Sequence, residues 1–309
     1  MEGERSRLLH NTQWMFGLTR QKSEQEVEKS ALIVGCGYLG NRVADAWLAS
    51  GRRVYATTRR PARAEELARR GIEPVICDVV DPSSLQSLPA VEEVLYCVGL
   101  DRSAGHSMHR VYVEGLAAVL QALPGRPRLV YVSSTSVYGQ TDGSEVDENS
   151  ATEPIEDSGK IVLQAEQVLR THRPDAIVLR FAGIYGPGRL LRSRDLLAGS
   201  PLAIDPDKWL NLIHVEDGAT AVQAALERAS STLYNVCDDH PVRRRDFYTR
   251  LAELLGAAPP NFVPVPQPLP VSERSNRRIS NRRLRQELGV SLRYPSYTEG
   301  LAASYRQPL

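Results

Sequence analysis

Three glycines spaced as G-x-G-x-x-G directly behind an unbroken apolar run, Ala31-Leu-Ile-Val-Gly35-Cys-Gly37-Tyr-Leu-Gly40, constrain this chain more than any other feature. A short run rich in branched apolar residues reads as a buried strand and the residues after Gly40 as a helix, so the glycines fall on a strand-to-helix turn. Each glycine there has its own physical reason. Gly35 makes the tight bend, Gly37 leaves its backbone bare for a phosphate to approach, and Gly40 lets the helix pack closely, while the free N–H groups of the helix N-terminus face the anion. The pattern predicts a dinucleotide site that includes Gly35, Gly37, Tyr38, Leu39 and Gly40.

From residue 30 onward, strand-like runs at 31–34, 53–57, 73–77, 93–98, 128–133 and 176–180 alternate with helical stretches at 41–50, 62–70, 109–123 and 159–172. Such alternation places helices on both faces of a parallel sheet, an α/β, doubly wound fold of the Rossmann type. The helix at 159–172 carries the apolar stripe Ile161, Ala165, Val168 and Leu169. Beyond Gly188 the chain becomes richer in Arg, Pro and short apolar pieces, with helices near 215–229 and 243–255 and a Pro-rich connector at 258–270. The expected organisation is a polar, disordered tail over 1–29, in which Met15 is an alternative start, and a dinucleotide-binding domain over 30–188. A small discontinuous C-terminal lobe over 189–309 completes it, with about 211–237 returning to the core of the first domain.

Charge and cysteine usage narrow the function by exclusion. Thirty-eight basic against 37 acidic side chains leave a net charge of +1, so no overall field draws the chain onto nucleic acid or a membrane. The arginine-rich stretch 274–285 has no interleaved aromatic residue and reads as a solvated face. Cys36, Cys77, Cys97 and Cys237 lack C-x-x-C spacing, which predicts reduced thiols and no metal, and His106 and His109 have no evident third ligand. No apolar run reaches the roughly 18 residues of a membrane span, and the first 28 residues do not read as a secretory signal. The expected location is cytoplasmic.

The end of the second strand decides between cofactors. It reads Thr57-Thr58-Arg59-Arg60, with no acid between Asp45 and Glu65 to take a ribose 2′-hydroxyl. Guanidiniums at Arg59 and Arg60, with Thr58, favour a 2′-phosphate and hence NADP over NAD, which remains the alternative. Val98, ending the fourth strand, is expected to border the same cleft. Asp78, after the third strand, either accepts the adenine amino group or caps the following turn.

Three longer motifs accompany the fingerprint: Val130-Tyr-Val-Ser-Ser-Thr-Ser-Val-Tyr-Gly139, Leu179-Arg-Phe-Ala-Gly-Ile-Tyr-Gly-Pro-Gly188 and Asn211-Leu-Ile-His-Val-Glu-Asp217. On these the chain resembles the extended short-chain dehydrogenase/reductases, the NAD-dependent epimerase/dehydratase group. The resemblance implies that Ser134, with Thr135, holds the substrate hydroxyl or carbonyl, and that Lys160 holds the nicotinamide ribose and activates a neighbouring acid. It also implies a plausible homodimer. The acid itself departs from the pattern: Glu156 stands four residues before Lys160, and none of the 12 tyrosines has a lysine four positions later. Tyr112 replaces the group's helix asparagine, which makes Tyr112 and Glu156 the candidate proton donors. The chain is thereby similar to an atypical branch of the group that lacks the tyrosine.

The expected activity is oxidoreductase or epimerase chemistry on a small anionic or nucleotide-sugar carbonyl or hydroxyl, with Arg189 and Arg277 or Arg278 serving the anion and His214 lining the cleft. The competing expectation is a non-catalytic NADP-binding sensor or partner-binding protein.

Overall fold

The computed structural model describes residues 29–270 and 273–306; residues 1–28 of the expected 1–29 tail, Met15 among them, lie outside these. In chain order the elements are β1 (Ser30–Val34), α1 (Tyr38–Ala49), β2 (Arg53–Thr58), α2 (Pro61–Arg69), β3 (Glu73–Ile76), β4 (Glu93–Tyr96), α3 (Gly115–Ala122), β5 (Arg128–Ser134), β6 (Glu145–Val146), α4 (Asp157–His172), β7 (Ile177–Phe181) and β8 (Gly183–Tyr185). They continue with α5 (Ser193–Leu197), β9 (Trp209–Leu210), β10 (Leu212–His214), α6 (Val215–Arg228), β11 (Leu233–Val236), β12 (Val242–Arg243), α7 (Arg244–Leu255), β13 (Arg278–Ile279), α8 (Arg282–Glu287) and α9 (Tyr297–Tyr305).

Seven strands form one sheet in the order β11-β7-β5-β4-β1-β2-β3, and every neighbouring pair is parallel. The strands alternate their side chains between two cores, which is why they read as continuous apolar runs. Ala31 and Ile33 pack with Val43, Ala44 and Trp47 of α1 and Val222 and Ala225 of α6. Leu32 and Val34 pack on the other face with Leu116 and Val119 of α3 and Ala165 and Leu169 of α4. The doubly wound arrangement is therefore the one observed.

Several boundaries differ from the pattern in the sequence. Helix α1 begins at Tyr38 rather than 41, because the glycine turn leads straight into the first helical turn. The stretch expected as one helix over 109–123 opens with a π-helical turn, Arg110–Glu114, before α3. Strand β11 completes the sheet beside β7 and follows α6, so the segment from β10 to β11 packs against the main sheet. Its four residues carry too little pattern to be read as a strand in isolation. A third apolar cluster, around Tyr185, Leu202, Phe247, Leu251 and Leu301, packs β8, α7 and α9 together.

The strand order reverses between β1 and β4. Val34 lies in register with Tyr96, so the turn at Gly35 and the exit of β4 at Cys97 leave the sheet side by side. A crevice must open outside the carboxyl ends of these strands, where their connections diverge to opposite faces.

Candidate active site

The crevice is a cleft of about 690 Å³, within the usual range for small-molecule sites. Its floor is the fingerprint turn. Gly35 adopts φ +94°, and a Cβ there would lie 2.7 Å from the backbone of Val98, so β4 and the turn touch directly. Gly37 donates its N–H to the Gly35 carbonyl (2.8 Å), while a Cβ on Gly37 would meet nothing within 4 Å. A Cβ on Gly40 would stand 2.9 Å from the Gly35 carbonyl oxygen and 3.1 Å from Ile33 Cγ2, confirming its packing role.

At the outer end, Thr58, Arg59, Arg60 and Asp78 line the cleft together with Arg63. Arg59 pairs with Asp101 at 2.6 Å and lies 3.9 Å from Asp78. Asp78 accepts the Val80 N–H (3.1 Å), so its carboxyl does cap the turn after β3 while also facing the cleft. Arg63 was not singled out in the sequence. It donates to Asn41 Oδ1 (2.7 Å), which Arg70 also contacts (2.6 Å). The signal was available: Arg63 is three residues after Arg60, one turn along α2. Burial pushes the neighbouring Cys36 thiol up to about 11, although Arg63 and Arg70 oppose the shift.

The inner end is walled by Tyr96, Val98, Tyr112, Tyr131, Ser133, Ser134 and Val162. Ser134 Oγ accepts the Ser136 N–H (3.1 Å). The π-helical turn carries Tyr112 into the cleft, where its hydroxyl accepts the Leu100 N–H (3.0 Å). Lys160 does not line the cleft: it is exposed and pairs with Asp157 at 2.9 Å. The buried stripe of α4 is Gly159, Val162, Ala165, Glu166 and Leu169, and a residue two positions from Val162 is turned about 200° away from it. Val162, not Lys160, thus meets the cleft. Glu156 is half-buried at the N-cap of α4, and Thr135 is buried beneath the wall, with its carbonyl accepting from Arg277 (2.8 Å). Neither faces the cleft directly. His106 lines it, whereas His109 pairs with Glu114 at 3.1 Å.

Behind this wall lies a buried polar network that the sequence did not announce. Glu166 accepts from Ser133 Oγ (2.5 Å) and from two nitrogens of Arg180 (3.0 and 2.7 Å). Arg180 also donates to the Tyr138 hydroxyl (3.0 Å), which donates to Asn235 Oδ1 (2.9 Å). Strands β5, β7 and β11 and helix α4 are thereby tied together directly beneath Ser134.

The Asn-Leu-Ile-His-Val-Glu-Asp motif has a different use from the expected one. Asn211 holds the Arg277 carbonyl (2.9 Å) and the Ile279 N–H (2.8 Å), placing Arg277 against Thr135, while Arg278 donates to the Gly143 carbonyl instead (3.1 Å). Asp217 accepts the N–H groups of Arg293 (2.7 Å) and Tyr294 (2.9 Å). His214 is 1% exposed, accepts the Glu216 N–H and reaches Ser304 Oγ (3.2 Å) between the rings of Tyr185 and Tyr294. The motif latches the C-terminal segments onto the sheet, and His214 does not reach the cleft.

Burial pushes His214 down to about 4, from an ordinary value of 6.5. Between those values the unfolded chain binds the proton and the folded one does not, so stability is lost as pH falls from about 6.5 toward about 4. The contribution is at most about 3 kcal/mol across that window. Melting temperatures measured from about pH 7.5 down to 4.5 should fall less steeply for His214→Gln than for the parent. Parallel curves would show that His214 does not carry the dependence.

Residues 31–237 match the family described as "NAD dependent epimerase/dehydratase family". The chain is 30% identical over 276 residues to protein YeeZ of Escherichia coli K12, covering 86% of this chain and 97% of that one. It is 27% identical over 263 residues to 2'-dehydrokanamycin reductase of Streptomyces kanamyceticus, covering 79% and 71%. A solved structure of a functionally unknown conserved protein from Silicibacter pomeroyi superposes with a TM-score of 0.72 at 31% identity, covering 90% of this chain and 98% of that one.

Proposed function

The chain belongs to the NAD dependent epimerase/dehydratase family, and from that premise we propose that it is an NADP-dependent oxidoreductase acting on a small anionic or nucleotide-sugar carbonyl or hydroxyl in the cytoplasm. The observation that carries the cofactor reading is the guanidinium cluster of Arg59, Arg60 and Arg63 where β2 enters the cleft. Such a cluster suits a 2′-phosphate and leaves no carboxylate positioned by β2 itself to select NAD. The empty space above Gly37 and the turned-out N-terminus of α1 fit a pyrophosphate.

When bound, the nicotinamide supplies or accepts a hydride. The protein's part is to orient the substrate and move a proton. Ser134 holds the substrate oxygen at the inner wall, and Tyr112, which lines the same end of the cleft, donates the proton. Its hydroxyl accepts from Leu100 N, so the O–H remains free to donate, and the same amide stabilises the phenolate left behind. Neither Lys160 nor Glu156 is needed for this route. The similarity to a Streptomyces protein named as a 2'-dehydrokanamycin reductase supports the direction of reduction.

Calorimetric titration with NADPH, NADP, NADH and NAD tests the cofactor. NADPH is expected to bind more tightly than NADH, and Arg59→Ala should weaken NADPH by about 10–100-fold, the scale of a lost charge-assisted contact, while changing NADH by no more than about twofold. An equal loss for both would remove Arg59 from the 2′-phosphate. A second reading, a sensor that binds NADP without turnover, draws on Val162, an apolar residue at the point where α4 meets the cleft. NADPH oxidation across a carbonyl panel, abolished by Tyr112→Phe, separates the two.

A further inference from the structure

We propose that Arg189 is the clamp for the dinucleotide's pyrophosphate, reaching over the fingerprint turn from the loop after β8. The inference rests on the cofactor reading above, and it gives Arg189 a different ligand from the substrate anion suggested by the sequence.

A pyrophosphate laid along Gly37 meets N–H groups and a helix dipole, but the fingerprint itself offers it no cation. The nearby cations differ in how they are engaged. Arg42 lies over the Tyr38 ring (4.1 Å to its centroid), but its guanidinium is engaged, donating to the Tyr38 carbonyl (3.0 Å) and pairing with Glu216 (3.5 Å). Arg59 and Arg63 are held at the outer end by Asp101 and Asn41. Arg189 lines the cleft, and among the described residues its guanidinium makes no ion pair and no hydrogen bond. Like Arg42 it lies over the ring of Tyr38, 5.4 Å from the centroid, and Tyr38 is the residue immediately after Gly37.

The loop is positioned without help from that guanidinium. Gly186 and Arg189 exchange both backbone hydrogen bonds (3.3 and 3.0 Å), and the Tyr38 hydroxyl donates to the Pro187 carbonyl (3.0 Å). A Cβ on Gly186 would stand 2.7 Å from that hydroxyl, so loop and fingerprint are in direct contact. An aromatic face supports a planar guanidinium while leaving its N–H groups free, and that fork matches two phosphate oxygens. The cation is therefore held in advance beside the place where the charge arrives, which lowers the ordering cost of binding.

The test uses the full chain with Arg189→Ala and Arg189→Lys, titrated calorimetrically with NADPH, NADH and adenosine 2′-monophosphate. The pyrophosphate is common to both dinucleotides and missing from the monophosphate. Arg189→Ala should weaken NADPH and NADH by the same factor, about 10–100-fold, with the monophosphate unchanged and Lys recovering part of the loss. Unchanged dinucleotide affinities in the alanine variant overturn the clamp while the cofactor reading stands. A parallel loss for the monophosphate overturns it too, because the effect is then not one of the pyrophosphate. If the parent protein binds none of the three, the cofactor reading falls and the clamp falls with it.

Discussion

Truncating Glu166 to alanine should lower the stability of the protein by about 3–5 kcal/mol, the usual cost of removing one partner from a buried ion pair. Its carboxylate and the Arg180 guanidinium are 8% and 7% exposed, and they meet at 2.7 Å. With the carboxylate gone, Arg180 retains only the Tyr138 hydroxyl, and Ser133 loses its acceptor. A charge left in so dry a place has no compensating solvent, which makes this loss larger than that of any surface pair in the molecule. Urea denaturation measures it. Replacing both partners by apolar residues, Glu166→Leu with Arg180→Met, should recover most of the loss because neither charge then remains buried. A cost below about 1 kcal/mol for Glu166→Ala, the range of exposed pairs, would mean that water reaches the pair and the network is not closed.

The second large effect is on binding and leaves the fold alone. A Cβ added at Gly37 meets nothing within 4 Å, so the melting temperature of Gly37→Val should fall far less than that of Gly35→Val. The same side chain fills the approach to the α1 N-terminus, and affinity for NADPH and NADH should fall by at least about 100-fold. Gly35→Val is the contrasting variant. Its Cβ would collide with the Val98 backbone at a φ of +94°, so it should damage the fold before any binding can be measured. If Gly37→Val binds NADPH as the parent does, the dinucleotide does not cross the fingerprint and the cofactor reading fails.

Much of the candidate site was legible from residues close together in the chain. The fingerprint, the arginines following β2 and the motif containing Ser134 each place several groups within one turn or one strand end, and each contributes residues to the cleft lining. Reading failed where a helical phase had to be set. The family resemblance assigned Lys160 to the nicotinamide end, but the buried stripe of α4 runs through Val162, Ala165 and Glu166 and turns Lys160 outward. Glu166 itself passed unnoticed, since a lone acid on a helix ordinarily faces water. His214, expected to line the cleft, is instead buried by Tyr185, Tyr294 and Ser304, three neighbours from distant segments.

The sequence by itself determined the doubly wound parallel sheet, the tight glycine turn between β1 and α1 and the basic residues that follow β2, because those depend on strand and helix periodicity and on glycine's missing Cβ. Only the tertiary structure decided which face of α4 meets the cleft, that Glu166 finds Arg180, that His214 serves as a latch, and that Arg189 comes to rest over Tyr38. Each of these joins elements brought together by packing, as the hydrogen bond from Tyr38 to Pro187 does across 149 residues of chain. Local pattern carries no information about such a meeting until the buried apolar faces have fixed how the helices rotate and where the loops return.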